Sequence, residues 1–184
     1  MFCSVISVCV LAAPVQGSGT GGWRSLELPD AQIALELPVQ PKRLETKIRA
    51  DAAKLIEKQV SYEASIPGAY FLIRYTLYAE NVAVDLKKAA QGAIDGIKSQ
   101  AGVSEVRFTT KDVRRDDKPA VSLEGYYTLS GKHFEYDALF IGAGRQLWQV
   151  GVGFSDTSSE GKAAARRALG SIKVGLVSLG SGFY

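Results

Sequence analysis

Hydrophobic and polar residues alternate with a period of two over much of the chain, a pattern typical of half-buried β-strands. In the first half, the alternation covers residues 33–37, 55–64 and 69–78, and a shorter stretch precedes Pro29-Asp30. In the second half it returns in residues 105–111, 120–129, 132–141 and 146–154. The pattern therefore predicts a domain that is rich in strands.

Short turn sequences separate these strands. Pro67-Gly68 stands between the second and third alternating stretches and predicts a hairpin. A charged turn at residues 114–118 and glycine turns near Gly131 and Gly144 join the last four strands, which predicts an antiparallel meander. The meander residues that we expect to face the core are Val106, Phe108, Val121, Leu123, Tyr127, Phe134, Tyr136, Ala138, Phe140, Trp148, Val150, Val152 and Phe154.

Two segments repeat apolar residues at intervals of three and four, which predicts helices. Asn81 is the expected cap of the first helix, Asp85 suits its positive end, and Gly102 ends it. The second helix begins with a predicted capping box formed by Thr157 and Glu160. The apolar faces of the two helices are Leu86, Ala90, Ala93, Ile94 and Ile97 in the first, and Ala164, Ala165, Ala168, Leu169 and Ile172 in the second.

These elements predict one α+β domain over residues 26–174. We expect a mainly antiparallel sheet of about six strands with helices packed on it, as in an α/β/α sandwich. The composition of the 184 residues, 46% hydrophobic and 22% charged, is that of a globular domain and excludes a disordered, collagenous or coiled-coil protein. Residues 175–184 form a C-terminal tail without a clear period.

The first residues have the composition of a secretion signal. Residues 2–16 carry no charged side chain, and this run is shorter than the roughly 20 residues that cross a bilayer. Val15 and Gly17 suit a cleavage site, so we predict a signal peptide at 1–17 and a flexible spacer at 18–25. The mature protein would then be periplasmic or secreted, without a transmembrane anchor.

The same interpretation limits the chemistry of the mature chain. Cys3 and Cys9 both lie in the predicted signal peptide, so no disulfide or cysteine-ligated zinc is expected. The glycines of residues 17–22 match a dinucleotide-binding pattern, but no helical period follows them, and we predict no cofactor. Lys and Arg (22) and Asp and Glu (19) are interspersed, which argues against a nucleic-acid partner.

His133 is the single histidine, and it shares one face of a predicted strand with Glu135 and Asp137, at steps of about 6.6 Å. An imidazole and two carboxylates can ligate a transition metal, and Glu124 could join them if the strand register allows. A solvated face of an antiparallel sheet has the same alternation, and we prefer that interpretation. The metal site, in a metal-binding protein or metal-dependent enzyme, is the alternative.

Other functions have weaker support in the sequence. A catalytic triad would have to use His133, and no G-x-S-x-G motif occurs, so no catalytic residue is predicted. A second alternative is a sugar- or lipid-binding module, with Tyr62, Tyr126, Tyr127 and Tyr136 as its platform. Aromatic residues at strand spacing more often form cross-strand pairs.

Four local strings resemble the PsbP/Mog-like superfamily: LELPVQP, AIDGIKSQAGV, ALFIGAGRQLWQVGVGF and ARRALGSIKV. Leu37-Pro38, Leu147-Trp148-Gln149-Val150 and Leu169-Gly170-Ser171-Ile172 hold the places of the family's motifs, while Ala168 and Ile172 replace its usual Phe residues. The family includes photosystem extrinsic subunits, a Ran-binding import factor and many exported bacterial proteins. The resemblance implies a non-catalytic accessory or binding protein of the bacterial envelope, with an unknown envelope protein or ligand as its partner.

Overall fold

The computed structural model describes residues 22–45, 48 and 52–175, and in them the chain forms ten strands and two α-helices. The strands are β1 (Arg24–Leu28), β2 (Ile33–Leu37), β3 (Lys42–Leu44), β4 (Ile56–Ile66), β5 (Ala69–Tyr78), β6 (Val103–Arg115), β7 (Lys118–Leu129), β8 (Lys132–Ala143), β9 (Gln146–Ser155) and β10 (Lys173–Val174). The helices are α1 (Leu86–Lys98) and α2 (Ser159–Gly170). The predicted signal peptide 1–17 lies outside the described residues, as does the predicted tail after residue 175.

Seven strands form one sheet in the order β3-β4-β5-β9-β8-β7-β6, and β1, β2 and β10 form a second, smaller sheet. Every strand pair of the described chain is antiparallel, as predicted. The expectation of about six strands was wrong. The three residues of β3 are too short to show a period, and they pair with β4.

The hairpin and the meander are confirmed. Ile66 pairs with Ala69 across Pro67-Gly68, and Gly68 has a φ of 84°, which a glycine adopts without strain. The strands β6 to β9 pair in sequence order. At the N-terminal end, β1 includes Arg24 and Ser25, which the prediction placed in the spacer.

The two faces of the large sheet are covered differently. On the face that we call the α1 face, Ala90, Ala93 and Ile94 of α1 pack against Leu123 and Phe140. On the opposite α2 face, α2 and the small sheet pack against side chains of β5, β8 and β9. The fold is therefore not a six-stranded α/β/α sandwich, because a second sheet shares one face with the helix.

Trp148 lies at the centre of the α2 face. It is fully buried, its ring contacts that of Tyr75 at 5.6 Å between centroids, and its Nε1 donates a hydrogen bond to the carbonyl of Ala31 at 2.8 Å. This bond joins the large sheet to the loop before β2. Most of the predicted core residues thus divide between two clusters on opposite faces, because neighbouring side chains of a strand alternate. Tyr127 and Phe134 belong to neither cluster, and Phe134 is half-buried.

Both predicted helix caps were wrong, by a few residues. Asp85, rather than Asn81, accepts a hydrogen bond from the amide of Lys88 at 3.0 Å. Ser158, rather than Thr157, accepts one from the amide of Gly161 at 2.9 Å. The hydroxyl of Thr157 instead contacts that of Ser155 at 3.0 Å, and so it is not directed at the helix.

Candidate functional site

The α2 face has an open half, where β6, β7 and the beginning of β8 extend beyond the helix. Thr109 and Lys111 of β6 and Glu124 of β7 are exposed there. The register places these side chains on the same face as Glu135 and Asp137 of β8. The strand face that the sequence predicted as solvated is therefore only partly exposed, since His133, Glu135 and Asp137 are half-buried.

Three carboxylates lie together on this open half. Glu124 is directly opposite Asp137 in the ladder of β7 and β8, and Glu135 is two residues from Asp137 along β8. We call Glu124, Glu135 and Asp137 the acid strip. The strand register therefore places Glu124 beside Glu135 and Asp137, two of the residues predicted as alternative metal ligands. Like charges directly opposite each other in a sheet are destabilising.

The crowding changes the acidity of the central carboxyl. The pKa of Asp137 is raised from 3.8 to about 6, first by burial and then by the negative charges of Glu124 and Glu135. Lys162 and Arg166 of α2 act in the opposite direction without cancelling the effect. The acid strip therefore holds a carboxyl group that gives up its proton reluctantly.

The three residues predicted as metal ligands share a face but have different nearest partners. The Nζ of Lys162 lies 3.4 Å from an oxygen of Glu135. The Nδ1 of His133 lies 3.7 Å from an oxygen of Asp156, and its ring contacts that of Tyr126 at 4.6 Å. Within the described part of the chain, no group of three or more His, Cys, Asp or Glu residues is arranged to hold a metal ion.

The four tyrosines considered for a ligand platform lie on both faces of the sheet. Tyr127 stacks on Phe134 on the α1 face, with 5.7 Å between ring centroids. Tyr136 lies on the same face, where a Cβ added to Gly151 would come within 2.1 Å of its hydroxyl. Tyr126 and Tyr62 belong to the α2 face. The four rings therefore do not form one surface.

Sequence reasoning missed a set of buried polar side chains on the α1 face. Ser61, Arg74, Thr76 and Gln149 are exposed by 8% or less. The Nε of Arg74 donates to the hydroxyl of Ser61 at 3.2 Å, and Gln149 lies opposite Arg74 in the ladder. In the sequence, these residues have the alternation of a solvated face, so only the tertiary structure shows that they are buried.

Comparisons with known proteins identify the fold. No family model matches the chain, and no curated protein is similar to it. Among solved structures, the cyanobacterial PsbP protein CyanoP from Synechocystis sp. PCC 6803 superposes with a TM-score of 0.57 at 8% identity, over 89% of this chain and 98% of that one. The chain has a PsbP-like fold. The Mog-like part of the predicted resemblance is not supported.

Two further structures have lower scores. LpqN, described as involved in cell envelope biogenesis of Mycobacterium tuberculosis, has a TM-score of 0.46 at 16% identity, over 77% of this chain and 82% of that one. A protein from Bacteroides thetaiotaomicron has a TM-score of 0.48 at 11% identity, over 82% of this chain. This PsbP-like chain spans about half the length of that protein, 48%.

The described residues also bear on membrane association. Neither α1 nor α2 is long and apolar enough to cross a bilayer.

Proposed function

We propose that this protein is a non-catalytic accessory or binding protein of the bacterial envelope, exported to the periplasm or secreted, and a member of the PsbP/Mog-like superfamily. In this proposal it binds its partner through the acid strip and the open half of the α2 face. The acid strip is the observation that carries the proposal.

The acid strip is electrostatically unfavourable in the isolated protein. Three carboxylates lie side by side, and burial of Asp137 together with the negative charges of Glu124 and Glu135 raises its pKa to about 6. A cationic group of a partner would relieve this repulsion and gain a charge-assisted contact. A surface whose negative charge is only partly compensated, here by Lys162 and Arg166, is a candidate for binding.

Two other observations support an exported accessory role. The PsbP-like fold is shared with a protein named as a cyanobacterial PsbP. Residues 2–16 have no charged side chain, as in a signal peptide. The second observation supports a location beyond the cytoplasmic membrane.

The proposal is tested by capture from the native envelope with matched variants. The double variant Glu124→Gln/Asp137→Asn removes two charges of the acid strip. The double variant Glu27→Gln/Glu80→Gln removes two exposed carboxylates elsewhere. We expect the first to reduce recovery of a partner about tenfold or more, and the second to leave it unchanged. Equal recovery with both variants would contradict the proposal.

The same preparation tests export. We expect the mass of the protein purified from its native host to correspond to a chain that begins at Ser18. Recovery with residues 1–17 still attached, in the cytoplasmic fraction, would contradict the periplasmic or secreted location.

A metal site at His133, Glu135 and Asp137 is the competing hypothesis. It has one observation in its favour, since the Nε2 atom of His133 is buried without a hydrogen-bond partner in the described structure. Calorimetric titration with Zn²⁺ and Mn²⁺ separates the two hypotheses. We expect the same heats for the wild type and His133→Ala. A micromolar binding event that the substitution abolishes would support the metal site.

A further inference from the structure

The strand β6 forms one edge of the large sheet. It is 13 residues long and in the described structure pairs with β7 on one side only, whereas β3 at the other edge has three residues. Most of its side chains, including Arg107, Thr110, Lys111 and Arg114, are exposed. A long unpaired edge presents backbone amides and carbonyls that can pair with another extended chain.

Two side-chain contacts show which backbone groups of β6 point outward. The hydroxyl of Ser122 donates to the carbonyl of the opposite residue Lys111 at 3.4 Å, and that of Thr109 donates to the carbonyl of Glu124 at 3.3 Å. Because these carbonyls point across the β6 and β7 ladder, Thr109 and Lys111 are its hydrogen-bonded positions. In an antiparallel ladder the positions alternate, so Thr110 and Asp112 direct their amides and carbonyls outward.

Of the features that protect sheet edges, the bulge and the contact with α2 lie at the two ends of β6, and charged side chains lie between them. A bulge interrupts the register between Ser104 and Arg107. At the far end, Arg115 donates hydrogen bonds to the carbonyls of Leu169 and Gly170 at the end of α2. Residues 107–115 contain neither a bulge nor a proline. This central run is therefore regular enough to accept a strand.

The charge of this run favours an acidic partner. Arg107 and Lys111 form no ion pair with any described residue, and Arg114 contacts only the carbonyl of Asp117 in the neighbouring turn. Asp112 is the one acidic residue of the run, and the Nζ of Lys87 lies 3.0 Å from its carboxylate. The edge thus presents the positive charges of Arg107, Lys111 and Arg114, while the carboxylate of Asp112 is already paired with Lys87. A second copy of β6 would be repelled.

We propose that β6 is a docking edge that accepts an extended acidic segment of a protein partner as an additional antiparallel strand. The inference deepens the proposed binding function and rests on it in assuming a protein partner. Backbone hydrogen bonds to Thr110 and Asp112 supply the pairing. Acidic side chains opposite Arg114, Lys111 and Arg107 supply the selectivity.

The geometry fixes the spacing of the acidic residues. Directly opposite residues of an antiparallel pair run in reverse order, so the added strand meets position 114 first, position 111 three residues later and position 107 four residues after that. The partner segment therefore has the pattern acidic-x-x-acidic-x-x-x-acidic. A parallel strand would need the reverse spacing.

The test is a binding titration of the full chain with fluorescent octapeptides. The probe is EVTEVTVE, and the control EVTVEVTE has the same composition and charge with the reverse spacing. A third peptide replaces each glutamate with lysine. We expect EVTEVTVE to bind about tenfold or more tightly than either control. No detectable binding of EVTEVTVE, or equal binding of the two acidic peptides, overturns the proposal.

Matched variants separate strand addition from charge attraction. Thr110→Pro removes an outward amide, which an edge strand tolerates, and Thr110→Ala keeps it. We expect the proline variant to lose binding and the alanine variant to retain it. Retained binding in a folded proline variant overturns the proposal, as does a wild-type dimer that Thr110→Pro dissociates, because the occupant would then be a second copy.

Hydrogen exchange gives a readout that does not depend on a variant. Addition of EVTEVTVE should slow exchange of the amides of Thr110 and Asp112 in the wild type, and unchanged exchange overturns strand addition. Failure here is distinguishable from failure of the proposed function. If Glu124→Gln/Asp137→Asn reduces envelope capture while EVTEVTVE does not bind, only the docking edge is wrong.

Discussion

Both halves of β8 direct every second side chain towards the α2 face of the sheet, but the side chains of the two halves have different surroundings. Leu139 and Ile141 are buried beneath the small sheet and α2, whereas Glu135 and Asp137 stand on the open half. The strand does not change its period between them. The comparison shows that the position of a covering element decides which part of a regular strand becomes core and which becomes a charged surface.

The largest expected effect is on the covered half. Trp148→Ala removes a buried ring and its hydrogen bond to Ala31, and should lower the free energy of unfolding by about 3–5 kcal/mol. Urea denaturation measures it. Tyr126→Ala, on the open half, should cost less than about 1 kcal/mol. Similar losses from both substitutions would show that the two halves do not differ as described.

A second substitution tests close packing on the opposite, α1 face. A Cβ at position 151 would lie 2.1 Å from the hydroxyl oxygen of Tyr136, so Gly151→Ala should cost about 1–3 kcal/mol in urea denaturation. Gly153→Ala is the matched control, because its nearest contact there would be 3.8 Å. The prediction fails if the second glycine is the more sensitive one.

A third substitution tests the helix that divides the covered half from the open half. Ser158→Ala removes the cap of α2 and should cost about 1 kcal/mol in thermal or urea unfolding. Thr157→Ala should have less effect, since its hydroxyl contacts Ser155 rather than the helix. A greater loss from Thr157→Ala would restore the capping box predicted from the sequence.

The smallest expected effect is a pH-dependent gain in the free energy of unfolding from a substitution on the open half. The folded pKa of Asp137, about 6, lies above its ordinary value of 3.8, so the destabilisation is absent below about pH 4, grows as pH rises and is complete above pH 6. Asp137→Asn should therefore stabilise the protein by about 1 kcal/mol near pH 7.5, a value reduced for solvent screening.

Urea denaturation at two pH values checks this prediction. At pH 4 the gain in stability from Asp137→Asn should vanish. Glu27→Gln, which removes an exposed carboxylate outside the acid strip, is the control substitution. An equal gain at pH 4, or a loss near pH 7.5, would mean that burial of the Asp137 carboxylate and repulsion within the acid strip are not the cause.

The sequence predicted those parts of the fold that depend on near neighbours. Pro67-Gly68 identified the hairpin, and alternation placed His133, Glu135 and Asp137 on one face of a strand. Period two determines which side chains share a face, and a turn determines which strands pair. Both are local properties, and for this reason they could be predicted without the structure.

What the sequence could not predict is which element covers each face. Arg74 and Thr76 have the spacing of a solvated face but are buried, and Lys162 reaches Glu135 only because α2 crosses β8. Contacts between distant segments decide these outcomes. Helix caps failed for a local reason, since Ser158 and Thr157 can both accept a hydrogen bond at a helix start and the capping box favoured Thr157.

The pairing of β2 with β10 has a consequence for the order of assembly. Ile33 and Ala34 pair with Val174 and Lys173, so the small sheet closes a loop of almost the whole domain. While the chain leaves the ribosome, β2 cannot complete its strand pairing until β10 has been synthesised. If the protein is exported, as we propose, this delay is useful, because a chain that cannot finish folding early can still pass unfolded through a secretion channel.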